Sequence, residues 1–356
     1  MIRVMVVDDS PTVRELLVQI LSSDPGMEIV GCAADGDEAV LMAQNTKPDV
    51  ITMDLHMPNM DGFEATRRIM QTCPTPIVIV SGNNDRDEMG ASFHAIEAGA
   101  LVVVQRPFGP GNSAYHQTSA ALIRTVKAMA EVKVVRRWPK SAPRDRSTAS
   151  AKEVGAASRL RKLVAIGAST GGPVVLRDIL AELSYGYALP IVIVQHMSPG
   201  FLGGFSEWLS TAAKFPVAVA EHGALLAGGT AYLAPDGFQL GVTKDLHITL
   251  SRPILEHGMA PSVSHLFRSI HKDLCPGTAA VLLTGMGKDG ALELRWLKEN
   301  GAVTIVQDRA TAAVYGMPGE AIRQDAAQMV LAPAEIGKAL RTFGQGLSTR
   351  VPLAGN

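Results

Sequence analysis

The chain is poor in features that would staple it or attach it to a membrane. It has only three cysteines, Cys32, Cys73 and Cys275. They are scattered, with none of the close spacings of a zinc site or a disulfide framework, so a reducing compartment is expected. No run reaches the ~20 apolar residues that a membrane-crossing helix needs. The opening Met-Ile-Arg-Val-Met-Val-Val meets Asp8-Asp9 where a secretory signal would continue its apolar region. The expectation is a cytoplasmic protein with no membrane insertion. Net charge is also lacking: 33 Lys plus Arg stand against 34 Asp plus Glu. Such a balance offers no field to hold a polyanion and argues against nucleic acid as a partner.

What the chain does have is length and apolar content. Its 356 residues, 47% hydrophobic and 19% charged, exceed what one core normally supports and predict two folded domains. Over the first 130 residues, apolar runs at 2–7, 28–33, 48–53, 76–81 and 100–105 alternate with helix-period stretches. Five such βα units predict a doubly wound parallel sheet. The pattern lapses between about 131 and 161, where Ser, Ala and Pro accumulate, with ten basic residues against three acidic ones between 131 and 162. We read this as a flexible basic tether, with docking on an acidic surface as the alternative. A second α/β alternation begins at Leu163, with strands at 163–168, 190–195, 278–283, 302–306 and 328–332. Between 215 and 256, the turns Gly228-Gly229 and Asp236-Gly237 suggest a small β-rich insertion containing a hairpin. The expected boundaries are 1–128, 129–160 and 161–350.

Strand one of the first domain ends in Asp8-Asp9 and strand three in Asp54. A parallel sheet gathers these carboxylates at its carboxyl edge, where like charges require a cation. An all-oxygen set suits Mg²⁺. Asp54 would then accept a phosphoryl group as an acyl phosphate, with Ser81 donating to a phosphoryl oxygen and Arg106 pairing with it. Two adjacent acids after a strand are, by themselves, more often a solvated turn. Taken together, Asp8-Asp9, Asp54-Leu-His-Met-Pro-Asn-Met-Asp61-Gly62, Ser81 and Arg106-Pro107 resemble the response-regulator receiver family. The resemblance implies that a sensor histidine kinase donates the phosphoryl group. It also exposes a departure, since the family usually has Lys where this chain has Arg106, which is forked and permanently charged.

In the second half, Leu163-Val-Ala-Ile-Gly167-Ala-Ser169-Thr-Gly171-Gly172-Pro173 reads as a strand, a tight turn and a helix start. The turn admits a structural reading, a dinucleotide-binding reading and a nucleophile reading. The glycines fall short of G-x-G-x-x-G, and the next strand ends in Gln195-His196 rather than in an acid for a ribose. A serine nucleophile needs a base and a group to orient that base. His196, at the end of the adjacent strand, and Asp289, after the strand at 278–283, are placed to supply them.

Gly-Ala-Ser169-Thr-Gly-Gly-Pro, Gln-His196-Met, Leu-Thr-Gly-Met286-Gly-Lys-Asp289-Gly and Tyr-Gly-Met317-Pro318 together resemble the chemotaxis receptor methylesterase family. The receiver and tether in front complete that family's layout. The resemblance implies hydrolysis of γ-glutamyl methyl esters on chemoreceptor cytoplasmic helices, releasing methanol, and deamidation of specific glutamines. It implies Ser169 as nucleophile, His196 as general base and acid, Asp289 as the orienting acid and the Met286 N–H as an oxyanion donor, with no cofactor in the catalytic domain. It also points to a receiver that inhibits until phosphorylated. Where the family reads Arg-Pro-Ser-Val-Asp, this chain has Ala260-Pro261-Ser262-Val263-Ser264. On the resemblance, that departure bears on the substrate groove and receptor choice and leaves the triad alone. A receptor-binding adaptor without catalysis is the rival reading, and a DNA-binding response regulator lacks the basic recognition helix it would need.

Overall fold

The computed structural model describes residues 1–82, 93–132, 134, 163–183, 186–252 and 259–345. The first unit runs β1 (Ile2–Val7), α1 (Pro11–Ser22), β2 (Met27–Ala33), α2 (Gly36–Thr46), β3 (Val50–Met53), α3 (Gly62–Thr72), β4 (Ile77–Ser81), a helical stretch at 93–98, β5 (Val102–Gln105) and α4 (Tyr115–Ala130). Its five strands pair in parallel in the order β2-β1-β3-β4-β5. Val50–Met53 and Ile77–Ser81 are buried throughout, as expected when helices cover both faces of a parallel sheet. Pro11 at the start of α1 and the Ser10 cap, whose side chain accepts from the Val13 N–H, turn the chain into a helix directly after Asp8-Asp9.

The second unit runs β6 (Leu163–Ala168), α5 (Gly172–Glu182), β7 (Ile191–Gln195), α6 (Leu202–Ala213), β8 (Val217–Val219), β9 (Ala231–Leu233), β10 (Gln239–Val242), β11 (Ile248–Ser251), α7 (Val263–Ser269), β12 (Thr278–Leu282), α8 (Ala291–Glu299), β13 (Val303–Gln307), α9 (Met317–Arg323), β14 (Met329–Leu331) and α10 (Pro333–Gln345). Seven strands form a parallel sheet in the order β14-β13-β12-β6-β7-β9-β8. The chain leaves the central β6 towards one edge and returns to build the other, so a topological switch lies between β6 and β12, the place where open α/β sheets put their sites.

The expected β-rich insertion with a hairpin is present. β8 and β9 extend the main sheet in parallel, and only β10 and β11 form a separate antiparallel hairpin. The hairpin is closed by residues 243–247, where Leu246 adopts φ 63°; the glycine turns lie outside it. The expected tether at 129–160 falls outside the described residues except for 129–132 and 134.

The two units share a core. Phe93 and Ile96 of the first pack in one apolar cluster with Phe205 and Trp208 of α6. The Phe93 ring lies 5.2 Å from that of Phe205 and 5.5 Å from that of Trp208. An Arg177–Glu97 ion pair at 2.6 Å and a Ser198 hydroxyl donating to the Val103 carbonyl at 3.2 Å flank this apolar contact.

Candidate active site and phosphoryl site

β1 and β3 are neighbours with Val7 opposite Met53, so the residues that follow them, Asp8 and Asp54, emerge side by side. Ligand oxygens of Asp8, Asp9 and Asp54 all lie within 4.8 Å of one another. Asp8 is fully buried. Its carboxyl is pushed up to about 6, first by burial and then by the charge of Asp54, with Arg106 opposing. Burial likewise raises Asp54, again opposed by Arg106. Asp8 Oδ2 is buried with no hydrogen-bond partner. An all-oxygen cluster with Asp8 and Asp54 buried, Asp9 exposed and one acceptor orphaned offers donors suited to a hard divalent cation.

Arg106 follows β5 and places Nη2 3.6 Å from Asp8 Oδ2 and 3.5 Å from Asp54 Oδ2. Its guanidinium lies against Gly82, where a Cβ would stand 2.7 Å from Nη1. Ser81 is buried at the end of β4, and its carbonyl accepts from the Arg106 N–H at 2.8 Å. The carboxyl edge of this sheet therefore gathers Asp8, Asp9, Asp54, Ser81 and Arg106.

On the second sheet, Ser169 leaves β6 and its N–H donates to the Thr284 carbonyl at 3.0 Å. Gly285 makes this approach possible, since a Cβ there would lie 2.6 Å from the Ser169 Cβ. His196 leaves the adjacent β7, its N–H donating to the Ala168 carbonyl at 2.9 Å, so Ser169 and His196 exit neighbouring strands at one level. Both line the same cleft, with no hydrogen bond between their side chains.

His196 Nε2 lies 3.0 Å from Asp289 Oδ2. An ionised carboxylate can only accept, so Nε2 carries the proton and Nδ1 keeps the lone pair that can take the Ser169 proton. Asp289 is 2% exposed. It also accepts from the Ser262 hydroxyl at 2.9 Å and from the Val263 and Ser264 N–H groups at 2.7 and 2.9 Å, which places it at the N-terminus of α7. Burial alone would raise its pKa. The hydrogen bond from His196, the charge of its imidazolium when the ring is protonated and the bonds from Ser264 outweigh burial and hold it well below the usual carboxylate range.

These contacts correct the expectation for Ser264. It does not bear on the groove alone: its N–H binds Asp289, its hydroxyl donates to Glu293 Oε2 at 2.7 Å and accepts from the Gly290 N–H at 2.9 Å. Sequence reasoning also missed Ser262 as a donor to Asp289, because the capping position of α7 signals only a helix start.

Met286, between Gly285 and a Gly287 at φ 85°, is 39% exposed, and its N–H donates to no group among the described residues. From the first unit, Phe93, Ile96, Leu101, Val102 and Val103 cover the Ser169–His196 cleft, leaving an opening of about 40 Å³. That is room for a few waters and not for a substrate side chain.

The sequence pattern of the CheB methylesterase family matches residues 164–340, and that of the response regulator receiver domain matches residues 4–114. The chain is 49% identical over 343 residues to protein-glutamate methylesterase/protein-glutamine glutaminase 1 of Syntrophus aciditrophicus, covering 96% of this chain and 97% of that relative. It is 50% identical to protein-glutamate methylesterase/protein-glutamine glutaminase 4 of Geobacter metallireducens, over 96% of this chain and 99% of the relative. The crystal structure of the Thermotoga maritima CheB methylesterase catalytic domain superposes with a TM-score of 0.50 at 34% identity, covering 51% of this chain and 98% of that one. With similarity of this extent along nearly the whole chain, the protein belongs to the family of receiver-linked protein-glutamate methylesterases/protein-glutamine glutaminases.

Proposed function

We propose that this protein hydrolyses γ-glutamyl methyl esters, and deamidates glutamines, on the cytoplasmic helices of chemoreceptors, under the control of a receiver phosphorylated at Asp54. The observation that carries the reading is the His196–Asp289 pair at 3.0 Å beside Ser169, with three further donors holding Asp289 ionised. Ser169 Oγ attacks the ester carbonyl as His196 Nδ1 takes its proton, and Asp289 stabilises the imidazolium. The Met286 N–H is free to donate to the oxyanion that forms. On collapse the C–O bond breaks and the imidazolium returns the proton to the leaving oxygen, giving methanol. Water then adds to the acyl-serine with His196 again as base, and Ser169 leaves as the carboxylate forms. A glutamine follows the same course and releases ammonia.

The cover over the cleft supports control by the receiver. Val102 and Val103, which help close the cleft, lie on the strand that leads directly to Arg106. A dianionic phosphoryl group on Asp54 changes the partners of Arg106, and so bears on β5 and on the covering contact. Asp8, Asp9 and Asp54 would hold Mg²⁺, which when bound offsets the charge of the incoming phosphoryl oxygens. Ser81 and Arg106 would contact the phosphoryl group. A sensor histidine kinase is its donor on this reading, and both partners place the protein in the cytoplasm. Among the described residues no helix is long and apolar enough to cross a membrane. Residues 1–128 would act as the receiver, 129–160 as the tether and 161–350 as the catalytic domain.

Methanol release from methylated receptor membranes, with and without a small-molecule phosphodonor, tests the reading. Release should rise with the phosphodonor and fall by roughly 10⁴-fold or more in Ser169→Ala. Asp54→Asn should abolish the rise and the gain in intact mass. Near wild-type release by Ser169→Ala would sink the assignment.

A further inference from the structure

We infer that Gln195 is a positioning residue that sets the spacing of Ser169 and His196 through a single carboxamide. The inference rests on the triad reading above and extends it to a residue whose carboxamide acts through the main chain of Ser169 and His196.

Gln195 ends β7 and is 6% exposed. Its Nε2 donates to the Ser169 carbonyl at 2.9 Å and to the His196 carbonyl at 2.8 Å. Both partners are acceptors, so only the amino end of the carboxamide fits there. One NH₂ group therefore spends its two protons on the main chain of the nucleophile and of the base. The location explains the need. Pairing between β6 and β7 runs out with Ala168 opposite Gln195 and with the His196 N–H on the Ala168 carbonyl. Past that point the two chains diverge, one into α5 and the other into the loop before α6, and the sheet no longer fixes their separation. The carboxamide spans that gap.

Two further features show that space is reserved for this side chain. A Cβ on Gly172 would stand 2.1 Å from Gln195 Oε1, so α5 opens with a glycine where the carboxamide sits. Oε1 itself is buried without a hydrogen-bond partner. An apolar residue would avoid that penalty, and the two bonds made by Nε2 account for a glutamine here. A Ser–His distance held only by loops would drift, and small misplacements of reacting groups cost rate far more than they cost binding.

The experiment compares full-length wild type, Gln195→Met, Gln195→Glu and Ser169→Ala in methanol release, with kcat and KM resolved and folding followed by thermal melting. Gln195→Met keeps length and volume without the donors; its kcat should fall by about 10- to 100-fold with KM within about twofold. Gln195→Glu supplies the second readout. As an anion it faces two carbonyls and cannot donate; as a neutral acid its O–H restores one bond. Its rate relative to wild type should therefore rise several-fold as pH is lowered from 8 to 6. A Gln195→Met kcat equal to wild type, or a flat Gln195→Glu ratio, with Ser169→Ala inactive, overturns the clamp and leaves the triad standing. Near wild-type release by Ser169→Ala removes the triad and the clamp with it.

Discussion

Gly82 and Arg106 fit each other: the guanidinium lies where a side chain at 82 would be, with a Cβ there 2.8 Å from Cζ. The forked cation that replaces the family's usual Lys can reach both Asp8 and Asp54 because the residue after Ser81 has no side chain. Gly82→Ala should push Arg106 aside. The end of a long side chain moves cheaply, so the stability change should stay within about 0.5 kcal/mol, while phosphorylation by a small-molecule donor should slow several-fold. Arg106→Lys, thinner at its end, should recover the rate in the Gly82→Ala background. Intact-mass kinetics on the two single variants and the double variant check this, and equal rates in wild type and Gly82→Ala would refute the pairing.

Ser264 offers a second test. Its hydroxyl joins Glu293, which also pairs with Arg268 at 2.8 Å, to the Gly290 N–H next to Asp289. Ser264→Ala leaves a buried N–H unsatisfied, at a cost of about 1–3 kcal/mol, and should loosen Asp289 enough to lower kcat with KM unchanged. Ser264→Asp, the residue the family commonly has, would set a carboxylate against Glu293 and should destabilise more than Ser264→Ala, with Glu293→Gln relieving the difference. Melting temperatures of the three variants decide it.

Asp289 also ties stability to pH. Its folded-state pKa lies below the unfolded value of about 3.9, so the folded protein gains stability above pH ~4 and loses it as pH falls towards the folded value. Between about pH 5 and 3, wild type should therefore lose unfolding free energy more steeply than Asp289→Asn. Urea midpoints measured across that range check the sign, and parallel slopes would count against it.

The elements of both sheets could be read in the sequence because a parallel strand buried on both faces is a continuous apolar run, as in Ile191–Gln195 or Thr278–Leu282. Ser169, His196 and Asp289 were legible because each follows a strand of one sheet. A hairpin was legible between 215 and 256, but not its turn: that turn depends on Leu246 at φ 63°, a conformation that leucine does not advertise, whereas the visible glycine turns join other strands. The donors on Asp289 and the room that Gly82 leaves for Arg106 depend on spatial neighbours more than twenty residues apart in sequence. Phe93 reads simply as one apolar residue of a helix, and nothing local says that its neighbours are Phe205 and Trp208.

Phe93 gives the sharpest test of the covering contact. The ring is 2% exposed, packs against two aromatic rings of α6, and belongs to the wall that leaves about 40 Å³ open over Ser169 and His196. Truncating a buried phenylalanine costs about 3–5 kcal/mol in a core. An interface can open and rehydrate, so most of that cost should shift the balance from covered to uncovered states and only part should appear as unfolding. If the resting protein is covered by a few kcal/mol, Phe93→Ala should raise basal methanol release several-fold or more and reduce the further gain from a phosphodonor in proportion. Glu97→Ala removes the partly exposed ion pair with Arg177 across the contact, along with a local exposed contact to His94; the cross-contact pair is worth about 1 kcal/mol, so the rise should be smaller, about fivefold at most. The order matters more than either value: Phe93→Ala above Glu97→Ala above wild type at rest, with all three converging once phosphorylated. A basal rate in Phe93→Ala no higher than wild type, in protein that still melts cooperatively, would mean that this contact does not restrain the active site.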